Sequence, residues 1–243
     1  MLLRTLRIAL ITFPLAALCI LLMGLTTATA SLIERSGNLA HRVASFWGRF
    51  LLFVSGVRVD TEGLEHVPRN EGLVLVANHR SMMDIAVLMG LLPVSFRFLA
   101  KRSLFKLPFI GWHLFLGGHV GVDREDKRAA VKAMARAREI LGQHISVLIF
   151  AEGRRSEEGM RSFKGGAAYL AIKAGARVLP IGLTGTRDAL PRGSIHIRPA
   201  RVTLRVGEPI ATASLTSRDQ AELTDRLQTA VSRLIAPPAA GDR

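Results

Sequence analysis

The chain has 243 residues, 49% of them hydrophobic, a formal net charge of +14 and a single cysteine. That length supports one sizeable core with appendages. One cysteine, Cys19, excludes a disulfide framework, a cysteine-rich metal site and, inside an apolar stretch, a cysteine nucleophile. The charge points to nucleic acid, anionic lipid or an anionic substrate as partner.

Residues 8–33 carry no charged side chain. At about 1.5 Å per residue, a helix of this length reaches across a bilayer core of roughly 30 Å. Arg4 and Arg7 precede it, and Ala28-Thr29-Ala30 near its end resembles a signal-peptidase site, so an anchor and a cleaved signal both fit. Signal-peptide cores run only about 7–15 residues. A second apolar segment, residues 43–54, follows with the two bulky rings Phe46 and Trp47, as an interfacial helix would. The favoured reading is a retained N-terminal membrane anchor of two helices. Beside such an anchor, anionic membrane lipid becomes the preferred partner of the basic chain. Arg35, Arg42, Arg49 and Arg58 outnumber Arg4 and Arg7, which places the body on the cytoplasmic side of a bacterial-type inner (plasma) membrane. The expected organisation is membrane-associated helices over residues 1–58, a folded domain over 59–236 and a flexible tail over 237–243.

Residues 60–70 read as a polar connector containing Gly63 and Pro68. Beyond them, apolar runs predict strands at 72–77, 145–150, 178–183 and 201–206, with a weaker one at 195–198. Helical patterns cover 81–91, 125–142, 163–174 and 217–235, with Gly142 as a C-terminal stop. Strands alternating with helices predict an α/β layer structure. Residues 96–116 stand apart: Phe96, Phe98, Phe105, Phe109, Trp112 and Phe115 interleave with Arg97, Lys101, Arg102 and Lys106. Either a core helix with solvated cations or a basic, aromatic surface at lipid headgroups accounts for them.

In α/β folds, ligands gather beyond the carboxyl ends of strands, and two polar motifs lie there. The run ending at Ala77 breaks into Asn78-His79-Arg80-Ser81-Met82-Met83-Asp84. His79 has the residue type of a general base at neutral pH. Asp84 suits two tasks, orienting that imidazole or closing a capping box with Ser81. The run ending at Phe150 breaks into Ala151-Glu152-Gly153-Arg154-Arg155-Ser156, where a glycine lets backbone approach a ligand and arginine forks suit phosphate. Gly118-His119-Val120-Gly121-Val122-Asp123-Arg124 offers another arginine after a glycine-rich bend. Gly-x-Ser-x-Gly is absent, so a histidine base without a protein nucleophile implies that the substrate supplies the hydroxyl.

In this order the motifs resemble the glycerophospholipid acyltransferase family, most closely the 1-acyl-sn-glycerol-3-phosphate O-acyltransferases (lysophosphatidic acid acyltransferases). The likeness covers roughly residues 72–210. It rests on His79 and Asp84 with four residues between them, on Gly118 and Arg124, on Glu152-Gly153-Arg154-Arg155-Ser156, and on Val178-Leu179-Pro180-Ile181. Arg154 stands where the family usually has threonine. The resemblance implies an α/β fold with a mixed sheet flanked by helices. The resemblance implies that His79 deprotonates the sn-2 hydroxyl of lysophosphatidic acid while Asp84 orients the imidazole, yielding phosphatidic acid. Arg124, Glu152, Gly153, Arg155 and Ser156 then bind or arrange the glycerol phosphate, with Lys101 as a further cation near it. Acyl-CoA or acyl-carrier protein serves as donor substrate, with no cofactor, no metal and no nucleic-acid partner. Two other readings stay open: a different lysolipid acceptor, such as lyso-ornithine lipid, and a non-catalytic lipid-binding protein attached to the membrane.

Overall fold

The computed structural model describes residues 13–34, 36–123, 126–156 and 158–236. Its centre is a seven-stranded sheet: β1 (Arg58–Glu62), β2 (Val74–Ala77), β3 (Phe96–Lys101), β4 (Val120–Val122), β5 (Ser146–Phe150), β6 (Val178–Thr184) and β7 (Arg201–Val206). The spatial order is β1-β7-β6-β2-β5-β3-β4. Pairing is parallel throughout except between β6 and β7, so the sheet is mixed, as expected. Strand β2 is buried on both faces because helices cover both, which explains its unbroken apolar run.

Leu73, Leu75 and Ala77 point into one core and Val74 and Val76 into the other. The first core is covered by α2 (Asn38–Val54) and α3 (Met83–Leu91). The second lies under α5 (Lys127–Gly142), α6 (Gly166–Ala174) and α8 (Gln220–Ile235). Helices α1 (Phe13–Ile33) and α4 (Ile110–Leu116) pack on each other, and α1 also packs on α2. A one-turn helix, α7 (Thr186–Ala189), follows β6. Among the described residues no helix is long and apolar enough to cross a membrane. Residues 8–12 of the uncharged stretch lie outside the described residues, as does the tail at 237–243.

Helix α2 sits tightly on α3 at two glycines. A Cβ on Gly48 would stand 2.9 Å from the Ala86 carbonyl, and one on Gly90 would stand 3.1 Å from the Arg49 nitrogen. Glycine in a helix interior costs about 1 kcal/mol against alanine, a cost offset here by close approach of the two backbones. The Arg49 guanidinium then donates from Nε to the Gly90 carbonyl at 2.6 Å.

Several sequence expectations need correcting. The connector at 60–70 contains most of β1, whose polar residues reflect an edge position: Arg201 pairs with Asp60 at 2.9 Å and Arg205 with Glu62 at 2.7 Å across β7. The weaker strand at 195–198 does not form. Residues 96–116 are no single helix but β3, a 3-10 turn at Arg102–Lys106 and α4. Strand β3 escaped periodicity because Arg97, 2% exposed, is a cation inside the fold. Its Nη1 donates to Ser95 Oγ and the Phe96 carbonyl, and its Nη2 to the Ser36 carbonyl and Asn38 Oδ1, at 2.9 to 3.1 Å. Helix α5 ends at Gly142, but the left-handed residue that turns the chain is His144, with φ of 60°.

Around Arg97 lies a buried polar seam joining the N-terminal helices to the sheet. His113 Nδ1 hydrogen-bonds Thr27 Oγ1 at 3.1 Å, and His119 Nδ1 accepts the Phe98 N–H at 2.9 Å. His41 meets the Phe96 ring edge-on at 4.8 Å, its Nδ1 unpartnered among the described residues.

Candidate active site

Ala77 of β2 lies beside Phe150 of β5, so the two polar motifs that follow these strands emerge side by side. Asn78, fully buried, ties the end of β2 to β6: its Nδ2 donates to the Leu183 carbonyl at 2.9 Å and its Oδ1 accepts the Leu183 N–H at 2.8 Å. His79 then turns toward α3. Its Nδ1 lies 2.8 Å from Oδ2 of Asp84, which is completely buried. The same carboxylate oxygen accepts the N–H groups of Arg80 at 2.8 Å and Ser81 at 2.9 Å. Ser81 Oγ accepts the Met83 N–H at 3.1 Å and donates to the Leu190 carbonyl at 2.7 Å. Asp84 thus holds the imidazole, while of the expected capping box only its own half forms, on the same oxygen: the Asp84 N–H goes to the Ser81 carbonyl and not to the hydroxyl.

With Nδ1–H facing a carboxylate, the neutral ring keeps its lone pair on Nε2, which has no hydrogen-bond partner among the described residues. Beneath the imidazole lies the Phe150 ring, stacked at 3.9 Å and 13°. Phe98 continues the stack beyond Phe150 at 6.1 Å. Neither ring was singled out in the sequence as part of the site. Phe150 ends a legible apolar run, and only the β2–β5 register puts it under His79.

The second loop is bound to the first by Glu152, which is 2% exposed. Its Oε1 accepts the His79 N–H at 2.7 Å and its Oε2 the Arg161 N–H at 2.8 Å. Burial pushes its carboxyl above the ordinary value, against the opposing pull of those two N–H groups and of the His79 and Arg80 side chains. Gly153 follows with φ of 78°, a backbone state that side chains strain to adopt. Ser156 donates its N–H to the His79 carbonyl at 2.9 Å and turns its hydroxyl onto the carbonyls of Glu158 and Gly159. Among the described residues no group of three or more His, Cys, Asp or Glu is placed to hold a metal ion.

A family model described as Acyltransferase matches residues 58–184. The chain belongs to the acyltransferase family.

Relatives of this acyltransferase include the 1-acyl-sn-glycerol-3-phosphate acyltransferase of Chlamydomonas reinhardtii, 37% identical over 76% of this chain and 55% of the relative. A chloroplast enzyme of that name from Arabidopsis thaliana is 38% identical over 63% of this chain and 43% of its own. The human alpha form is 32% identical over 72% and 63%. This chain thus spans about half the length of the first two. Among solved structures, the 1-acyl-sn-glycerophosphate acyltransferase PlsC of Thermotoga maritima superposes with a TM-score of 0.79 at 27% identity, covering 95% of this chain and 94% of that one.

In this acyltransferase the sequence-derived candidates separate by what their side chains face. His79 and Asp84 lie in direct contact, 2.8 Å apart. Glu152 and Ser156 make hydrogen bonds to backbone groups that hold the two loops in register. Arg155 is half-buried, whereas Arg154 and Lys101, at the carboxyl end of β3, are exposed. Arg124 lies outside the described residues.

Glu152→Gln tests the clasp. The amide keeps the shape, but its NH2 must face one of two N–H donors, leaving a buried donor–donor contact. Loss of about 1–3 kcal/mol in a denaturant titration is expected, with a fall in kcat because the His79 backbone loosens. An unchanged midpoint together with unchanged kcat refutes the clasp.

Proposed function

We propose that the chain transfers an acyl group from a thioester to the sn-2 hydroxyl of 1-acyl-sn-glycerol-3-phosphate, giving phosphatidic acid. The observation that carries this reading is the His79–Asp84 pair at 2.8 Å at the mouth of β2, with Nε2 unpartnered among the described residues. A base so oriented, with no serine elbow beside it, acts on a hydroxyl that the acceptor brings. The relatives bearing this activity in their names favour lysophosphatidic acid as that acceptor.

His79 Nε2 takes the proton from the sn-2 hydroxyl as its oxygen bonds to the thioester carbonyl carbon. The resulting imidazolium, stabilised by Asp84, returns the proton to the departing thiolate as the C–S bond breaks. Such general acid–base work contributes about 10²–10⁴-fold. Arg155, Lys101 and Arg124 are the cations assigned to the acceptor phosphate, a fixed charge turning a bimolecular encounter into a positioned attack.

Residues 1–58 are assigned to membrane attachment and residues 59–236 to the acyltransferase domain, on the cytoplasmic face of a bacterial-type inner membrane. Support comes from the exposed apolar side chains of α1, α2 and α4: Leu32, Ile33, Phe53 and Phe115 are each at least 75% exposed. Thr27, buried against His113, argues that α1 is part of the fold and not a removable signal. No cofactor is assigned, and the acyl donor is the only second substrate.

Labelled lysophosphatidic acid with acyl-CoA or acyl-carrier protein, supplied to the detergent-solubilised protein, tests the reaction. Phosphatidic acid from the unmodified protein and at least about 10²-fold less from folded His79→Ala is expected. Absence of product from folded protein with either donor overturns the assignment.

A further inference from the structure

Away from the reactive pair, one side of α5 carries Arg128, Lys132 and Arg136, one helical turn apart and all exposed. With Arg102 across from them and Val120 and Gly121 of β4 between, they line a groove of about 470 Å³. Like charges four residues apart destabilise a helix. Among the described residues no acidic side chain pairs with Arg102, Arg128 or Lys132, while Arg136 meets Glu139 at 2.7 Å. Among the described residues the groove is lined by one carboxylate, Asp126, which caps α5 by accepting the N–H groups of Arg128 and Ala129 at 2.8 and 3.1 Å. The helix N-terminus adds its own positive end.

Two placements narrow the partner. Helix α5 packs over the second core, on the sheet face opposite the one that α2 and α3 cover. The stripe begins beyond the carboxyl end of β4, on the same sheet end as His79. The strand order β2-β5-β3-β4 puts three interstrand steps between them, about 14 Å. Arg128 to Arg136 spans about 12 Å along one helix, a line and not a convergent cradle. A line of that length matches carboxylates spaced along the helix of an acidic protein better than one compact phosphate cluster.

We propose that the α5 stripe is the docking surface for an acidic acyl-carrier protein, which delivers its thioester to His79 on a flexible arm. This inference rests on the acyl-transfer reading and names its donor.

The test reverses the stripe in the full-length protein, Arg128→Glu, Lys132→Glu and Arg136→Glu together, all surface positions that leave both cores intact. KM for acyl-carrier-protein donor should rise about tenfold or more with kcat little changed, while acyl-CoA kinetics stay within about twofold. The salt dependence of kcat/KM for the carrier-borne donor should flatten. A matching KM rise for acyl-CoA overturns protein docking in favour of a handle common to both donors. Loss of binding to phosphatidylglycerol–phosphatidylcholine vesicles with carrier kinetics intact assigns the stripe to lipid, and no change in any measure returns it to solvent. Titration of fluorescently labelled acyl-carrier protein against both proteins reads docking without turnover. If the unmodified protein makes no phosphatidic acid, the reaction assignment fails, but that titration still decides the docking surface. No binding by the unmodified protein overturns it.

Discussion

Asp84→Asn should leave a folded protein whose kcat falls by about 10²–10⁴-fold, with KM for the acceptor little changed. In the native site one carboxylate oxygen receives the His79 ring N–H and the Arg80 and Ser81 backbone N–H groups. An asparagine oxygen in that place can keep all three bonds, so the helix entry survives. What disappears is the negative charge facing the imidazolium that forms as the hydroxyl is deprotonated, and this matters in the transition state more than in the ground state. The new NH2 occupies the position of Oδ1, which is buried and unpartnered among the described residues, and costs about 1–3 kcal/mol of stability. Single-turnover rates with a melting curve separate the two effects. A variant within tenfold of the native kcat means that His79 needs no anionic partner, and the assignment of Asp84 fails.

The second large effect is on acid stability. Burial pushes His41 down to about 4, helped by neighbouring Arg97 and His113, and burial alone takes His113 to about 4. His119 is held well below its ordinary value by burial, then by His113, Arg97 and His41. These groups come from α2, α4, the segment before β4 and β3, with Glu34 at the end of α1 facing Arg97, itself lowered to about 10 by burial. An unfolded histidine binds its proton near pH 6.5, whereas His41 and His113 bind theirs only near 4. Between those values the unfolded chain holds more protons, so stability must fall as pH falls. At pH 4 the loss is roughly 3 kcal/mol each for His41 and His113, a large share of a domain stability of about 5–15 kcal/mol. The seam should open first, releasing α1 and α4 from the sheet. Melting curves from pH 7 to 4.5, above most carboxylate titration, should show a steep decline that His113→Gln flattens. A flat profile over that interval disproves the account.

How much of this was legible beforehand depends on the distance over which each cause acts. The runs at β2, β5, β6 and β7 announced themselves because a strand covered by protein must be apolar. Local chemistry also exposed the His79–Asp84 pair: the residues lie within one helical entry, and their contact needs no distant segment. Strands β1 and β3 were missed for opposite reasons. β1 is an edge strand whose polar residues meet arginines of β7, and β3 hides a guanidinium whose partners come from residues 36, 38 and 95.

The sequence by itself determined the α/β class, the strand-end placement of both motifs and the pairing of His79 with Asp84. Periodicity and capping report what each segment buries and how it begins, and both are properties of a few neighbouring residues. Only the tertiary structure decided that Glu152 faces the backbone of His79, that Phe150 lies under its ring, and that α5 lies on the sheet face opposite α2 and α3. Those facts follow from strand order and register, which nonlocal hydrogen bonds between β2 and β5 set and which no short window of residues contains.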